Sequence, residues 1–178
     1  GVGSPTANDG GGRLYLYSGS PSGPGTAFLV EGRGEARFGA ALAGLGDFNA
    51  DGIDDFAVAA PNANRGAGVV QTYRGAATGL IAGRVLTPPE GQSGFGSALL
   101  LFDYNDDGFD DLAIGAPDQA PGSVSIYLGR TRGIAPDPIT TLHGEDGTSF
   151  GTQLARMDLD FNPYQDLIIT DPHGADGG

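Results

Sequence analysis

The chain has no cysteine, so disulfides, thiolate zinc sites and cysteine nucleophiles are all excluded. It is also short of positive charge. Nine Lys and Arg residues stand against 22 Asp and Glu, and the formal net charge is −13. Nucleic-acid phosphates and anionic membrane surfaces both call for clustered basic residues, so neither is expected as a partner. No apolar run reaches the ~18 residues of a membrane-spanning helix, and no membrane insertion is expected. No stretch sustains a helical period. The opening Gly1-Val2-Gly3-Ser4-Pro5 is not built like a signal peptide and reads as a mature or trimmed start. Histidine is scarce: His143 closes a strand-like run and His173 lies in a glycine-rich tail. Both read as surface or turn residues.

What is present is a turn-rich chain with short, regular apolar runs. Its 178 residues suffice for one domain with a real core, and they include 33 glycines and 12 prolines. Short β-branched runs separated by turns point to an all-β fold.

One acidic run organises the whole sequence. Asp103-Tyr104-Asn105-Asp106-Asp107-Gly108-Phe109-Asp110-Asp111 places side-chain oxygens at positions 1, 3, 5 and 9 and a glycine at position 6. A hard cation such as calcium takes about 6–8 oxygens, and a tight loop supplies them at alternate positions with a backbone carbonyl at position 7. That carbonyl would belong to Phe109. The run recurs as Asp47-Phe48-Asn49-Ala50-Asp51-Gly52-Ile53-Asp54-Asp55 and as Asp158-Leu159-Asp160-Phe161-Asn162-Pro163-Tyr164-Gln165-Asp166. The starts of the three copies are 56 and 55 residues apart. Phe-Gly precedes each copy (Phe38-Gly39, Phe95-Gly96, Phe150-Gly151), and an apolar run ending at Pro61, Pro117 or Pro172 follows it. A fixed period of this length means a repeat architecture.

The repeating order is a strand, the acidic loop, a buried-looking strand and two further strands. Four antiparallel strands in ~55 residues cannot bury both faces alone, and such units packed around an axis make a β-propeller. A β-sandwich does not call for the same signature three times. Residues 38–94 and 95–149 are read as two complete units. Residues 1–37 are read as the last two strands of a unit, and 150–178 as the first two of another. Two copies of the chain could therefore close a six-bladed ring as a homodimer, each supplying half of a split blade; the alternative is that the ring is completed by further sequence.

Other readings of these residues are weaker. An EF-hand needs Glu at position 12, where this chain has Val58, Ile114 and Ile169. A single acidic loop could be no more than Asx turns, but three at equal spacing argue for a shared ligand. Asp54, Asp106 and Asp110 fall off the ligand positions and read as solvated surface. Gly147-Thr148-Ser149-Phe150-Gly151 spells G-x-S-x-G, yet a nucleophile elbow needs a helix after it, and here the spelling overlaps the repeated Phe-Gly. No catalytic residue and no enzyme activity are expected. Phe38, Phe95 and Phe150 read as packing between units. Tyr15, Tyr17, Tyr73 and Tyr127 end strands and are candidates for strand packing or a partner surface.

Phe-Gly, then Asp-x-Asn-x-Asp-Gly-x-x-Asp, then Ile114-Gly115-Ala116-Pro117 and Gly122-Ser123-Val124-Ser125-Ile126-Tyr127, resembles the FG-GAP repeats of the integrin α-subunit propeller. It is also similar to bacterial secreted FG-GAP proteins and to the propeller of glycosylphosphatidylinositol-specific phospholipase D. The resemblance implies Ca2+ in each loop, on one face of the propeller. Its ligands would be Asp47, Asn49, Asp51, the Ile53 carbonyl and Asp55 in the first loop. In the second they would be Asp103, Asn105, Asp107, the Phe109 carbonyl and Asp111. In the third they would be Asp158, Asp160, Asn162, the Tyr164 carbonyl and Asp166. Pro163 replaces the glycine of loop three and fixes φ near −65°, so the third site is expected to bind most weakly. The resemblance further implies an extracellular or secreted module for adhesion or recognition of a protein or glycan. The alternative is the accessory, substrate-binding propeller of a secreted phospholipase- or glycan-active hydrolase.

Overall fold

A computed structural model describes residues 1–25, 27–32, 34, 36–48, 51–77, 79–89, 91–162 and 164–172. The predicted ligand Asn49, the loop-three Pro163 and His173 lie outside the described residues.

The fold is all-β, with thirteen strands among the described residues: β1 Val2–Ser4, β2 Arg13–Tyr17, β3 Ala27–Glu31, β4 Leu42–Gly46, β5 Asp55–Ala60, β6 Val69–Ala76, β7 Gly79–Leu86, β8 Ala98–Phe102, β9 Asp111–Ala116, β10 Ser123–Tyr127, β11 Thr140–His143, β12 Leu154–Met157 and β13 Asp166–Ile169. They form four antiparallel sheets in chain order. The two complete ones, β4-β5-β6-β7 and β8-β9-β10-β11, are four-stranded meanders, as blades of a propeller are.

The terminal sheets correct one expectation. The first sheet is β1-β2-β3, with three strands rather than two. Val2 pairs with Tyr15 and Ser4 with Arg13, so the opening stretch is itself a strand. The last sheet is the hairpin β12-β13. β1 and β13 both occupy the second-strand position. Among the described residues the two terminal sheets hold three and two strands.

Side-chain alternation explains how the sheets stack. Residues of a strand point to opposite faces in turn. In β5, Ala57 and Ala59 join the core shared with the second complete blade, whereas Val58 and Ala60 join the core shared with the first sheet. In β9, Leu112, Ile114 and Ala116 face back into the first of these cores, and Ala113 faces forward toward β12-β13. Both faces of each central strand are covered, so the run reads as continuously apolar. Three cores lie between four successive sheets, and this is not the single core between two facing layers of a sandwich. The first strands of successive blades, β4, β8 and β12, approach one another, as the inner strands of radial vanes do.

The Phe-Gly pair is the joint between sheets. Gly12, Gly68 and Gly122, each just before a third strand, form isolated parallel bridges to Phe38, Phe95 and Phe150 of the next unit. Phe95 is fully buried and its N–H donates to Ala67 O at 3.0 Å. The approach is too close for a side chain: a Cβ on Gly68 would lie 2.2 Å from Phe95 O, and Gly68 has φ +92°. Only glycine adopts that backbone without strain. The three phenylalanines therefore pack between units, as their recurrence implies.

Candidate metal centres

Each acidic run connects the first and second strand of a sheet: β4 to β5, β8 to β9, β12 to β13. All three loops therefore open at the same end of their sheets. The first Asp of each loop folds it. Asp47 Oδ1 and Oδ2 accept the N–H groups of Asp51 and Gly52 at 2.9 and 2.7 Å. Asp103 does the same for Asp107 and Gly108 at 3.2 and 2.9 Å. The glycines sit at φ +87° and +84°, the left-handed turn expected at position 6. Position 5 then fixes position 7: Asp51 Oδ1 accepts Ile53 N–H at 3.0 Å, and Asp107 Oδ1 accepts Phe109 N–H at 2.9 Å. Asn105 adds two bonds to Asp107, accepting its backbone N–H at 3.1 Å and donating to Oδ2 at 2.8 Å.

Position 9 ties the loop to the rest of its blade. Asp55 is 2% exposed and Asp111 fully buried. Asp55 Oδ1 accepts Gly75 N–H at 2.9 Å, and Asp111 Oδ1 accepts Gly129 N–H at 2.7 Å. These glycines stand at or just past the end of the third strand, a role unforeseen from the sequence; its only trace is the recurrent glycine two residues after Tyr73 and Tyr127. The other oxygen of Asp111 takes Tyr104 N–H at 2.9 Å. Burial pushes the Asp111 carboxyl up to about 6, helped by Asp107 and Asp103 and opposed by the two N–H donors. Asp55 is raised for the same reason, with Asp51 and Asp47 adding and Gly75 and Arg74 opposing.

Loop three differs. Asp166 Oδ2 accepts Leu159 N–H at 2.6 Å, the counterpart of the Asp111 bond to Tyr104. Among the described residues its sheet has two strands, and no glycine N–H engages Asp166 as Gly129 engages Asp111. Phe161, at φ +59°, donates its N–H to Asp158 Oδ1 at 2.7 Å, and Asn162 and Tyr164 donate to Asp160 and Asn162 at 3.2 and 2.7 Å. One oxygen each of Asp158, Asp160 and Asp166 lies within 4.8 Å of the others. Among the described residues this is the carboxylate trio that converges most tightly, in the loop expected to bind most weakly.

The donor set fits a hard cation. It consists of carboxylate, amide and carbonyl oxygens, without the nitrogen or sulfur that softer metals prefer. Residues 147–151 make structural contacts. Ser149 N–H donates to Asp171 Oδ1 at 3.0 Å, Thr148 Oγ1 donates to Pro121 O at 3.0 Å, and Phe150 makes the bridge to Gly122. His143 is exposed at the end of β11.

Comparison with known proteins agrees with this architecture. The FG-GAP repeat family matches residues 38–77 and 95–127. Integrin alpha-7 of Homo sapiens is 35% identical over 179 residues, covering 94% of this chain and 15% of that protein. Integrin alpha-3 of Mus musculus is 34% identical over 147 residues, 75% of this chain and 14% of the relative. Integrin alpha-8 of Mus musculus is 37% identical over 145 residues, 70% and 14%. The chain spans only about one-seventh of the length of these relatives. Its blades are FG-GAP repeats, homologous over most of the chain to those of the integrin α subunits.

Proposed function

We propose that the chain is a calcium-binding, non-enzymatic propeller module of the adhesion or recognition type, working outside the cell on a protein or glycan ligand. The observation that carries the reading is the recurrence of one oxygen-lined loop at one place in three successive sheets. Homology to integrin α subunits supports the adhesion role.

In this reading positions 1, 3, 5 and 9 supply side-chain oxygens and position 7 its carbonyl. The ligands are Asp47, Asn49, Asp51, Ile53 and Asp55; Asp103, Asn105, Asp107, Phe109 and Asp111; and Asp158, Asp160, Asn162, Tyr164 and Asp166. A bound ion offsets the repulsion among these carboxylates and takes no part in bond-making. The loops gain rigidity, and through Asp55–Gly75 and Asp111–Gly129 the ion also holds the end of the third strand. Among the described residues no helix is long and apolar enough to cross a membrane.

Calorimetric titration of metal-stripped protein with Ca2+ tests the reading. Three sites are expected, and Asp103→Asn with Asp107→Asn should remove one of them. Absence of any binding heat, together with a melting curve indifferent to calcium, would overturn it.

A further inference from the structure

All nine basic residues of the chain are arginine, and three of them line one cleft. Arg74 and Arg84 come from β6 and β7, and Arg132 comes from the loop between β10 and β11 of the next blade. The cleft encloses about 300 Å3, the lower end of the range for small-ligand sites. Its shape is built by the backbone. The register of β6 against β7 shifts between Gln71 and Tyr73. At this bulge the buried Thr72 Oγ1 accepts Arg84 N–H at 2.8 Å and donates to Arg84 O at 3.2 Å. Gly83 leaves the adjoining wall bare, since a Cβ there would meet Thr72 Oγ1 at 2.5 Å. Phe48, 3% exposed, closes the floor beneath Gly133. Arg84 Nε donates to Ile134 O at 3.2 Å, which ties the two blades together across the cleft. Bulges of this kind re-aim side chains beside functional sites.

We propose that this cleft binds the carboxylate of an acidic side chain from a protein partner. The ion pair seen among the described residues, Arg13 with Glu31, lies elsewhere, while Arg74 also acts on the Asp55 carboxyl. Three arginines line one cleft in a chain whose net charge is −13. A guanidinium presents a fixed fork of donors that matches a carboxylate two bonds at a time. The side chains around the cleft offer donors and almost no acceptors, since the Thr72 hydroxyl is already engaged. A sugar needs both for its hydroxyls and an open aromatic face for its ring, and the only aromatic ring here, Phe48, is buried. That contrast favours an acidic peptide over an acidic glycan.

The test uses the full chain in calcium buffer at low ionic strength, with a Glu-rich hexapeptide as probe and its Gln analogue as control. Saturable binding of the Glu peptide alone is expected, weakened about tenfold by Arg132→Gln or Arg74→Gln, a loss typical of one charge-assisted contact. Arg130→Gln changes charge equally on the same loop but lies outside the cleft, and it should leave affinity within about twofold. Melting curves of all three variants should match the parent. Equal weakening by all three substitutions, no saturable binding, or tighter binding of a heparin oligosaccharide than of the peptide would each overturn the proposal.

Discussion

At the scale of single residues, the position-9 aspartates carry two duties at once. Asp111 is fully buried and anchors two backbone N–H groups, and in the proposed reading it is also a metal ligand. Its carboxyl is raised from 3.8 to about 6, chiefly by burial. An acid with a higher folded than unfolded pKa binds protons better when folded, so stability falls as pH rises between the two values. The contribution is fully present below 3.8 and gone above about 6. Metal-stripped protein should therefore melt at a higher temperature near pH 5 than at pH 7, and Asp111→Asn should flatten the difference. With calcium bound the order should reverse, because a metal ligand has to be ionised. Thermal melts at the two pH values, with and without metal, check all three statements. Asp55 shifts the same way, so some slope should survive in the variant.

Among the elements, the joint between blades depends on glycine and phenylalanine in concert. Phe95→Ala should cost about 3–5 kcal/mol, the usual loss for an aromatic core truncation. Phe150→Ala should cost less, because Phe150 only borders the core between β8–β11 and β12-β13. Gly68→Ala should be destabilising by at least ~1–3 kcal/mol, from the left-handed backbone alone, and the near contact with Phe95 O adds to it. Urea midpoints of the three variants give these values. A Gly68→Ala protein as stable as the parent would mean that the bridge contributes nothing.

For the whole molecule, burial is graded from the middle outward. Every residue of β9 and β10 is buried, whereas β12 and β13 are half-exposed and β1 is short with Val2 56% exposed. Large apolar side chains stand open at both outermost sheets, among them Phe28 of β3 at 58% and Phe161 of the β12–β13 loop at 94%. Amide exchange should be slowest in β9 and β10 and fastest in β1 and β12-β13, since local opening follows buried contacts. In the proposed reading calcium binds only the folded loops, so it should stabilise the chain by about 2.7 kcal/mol per site at 100-fold excess over Kd, seen as a higher melting temperature. A chelator that leaves the melting curve in place would count against metal in the loops.

The sequence by itself determined the repeat, its period, the loop positions, the position-6 turns and the Phe-Gly joints. These are local: period-two alternation, turn chemistry and a recurring spelling are all written within a few residues of each other. It also gave the strand order of the two complete blades, and it missed β1, whose three residues are too few to show alternation. Only the tertiary structure decided how loops meet their neighbours. Asp55 reaches Gly75 and Asp111 reaches Gly129, contacts 20 and 18 residues apart. Arg84 reaches Ile134 across 50. Such pairings depend on how one sheet lies against the next, and no local pattern encodes that. The same holds for the arginine cleft, whose three charges come from two blades and whose hollow exists because a bulge and a glycine shape the wall.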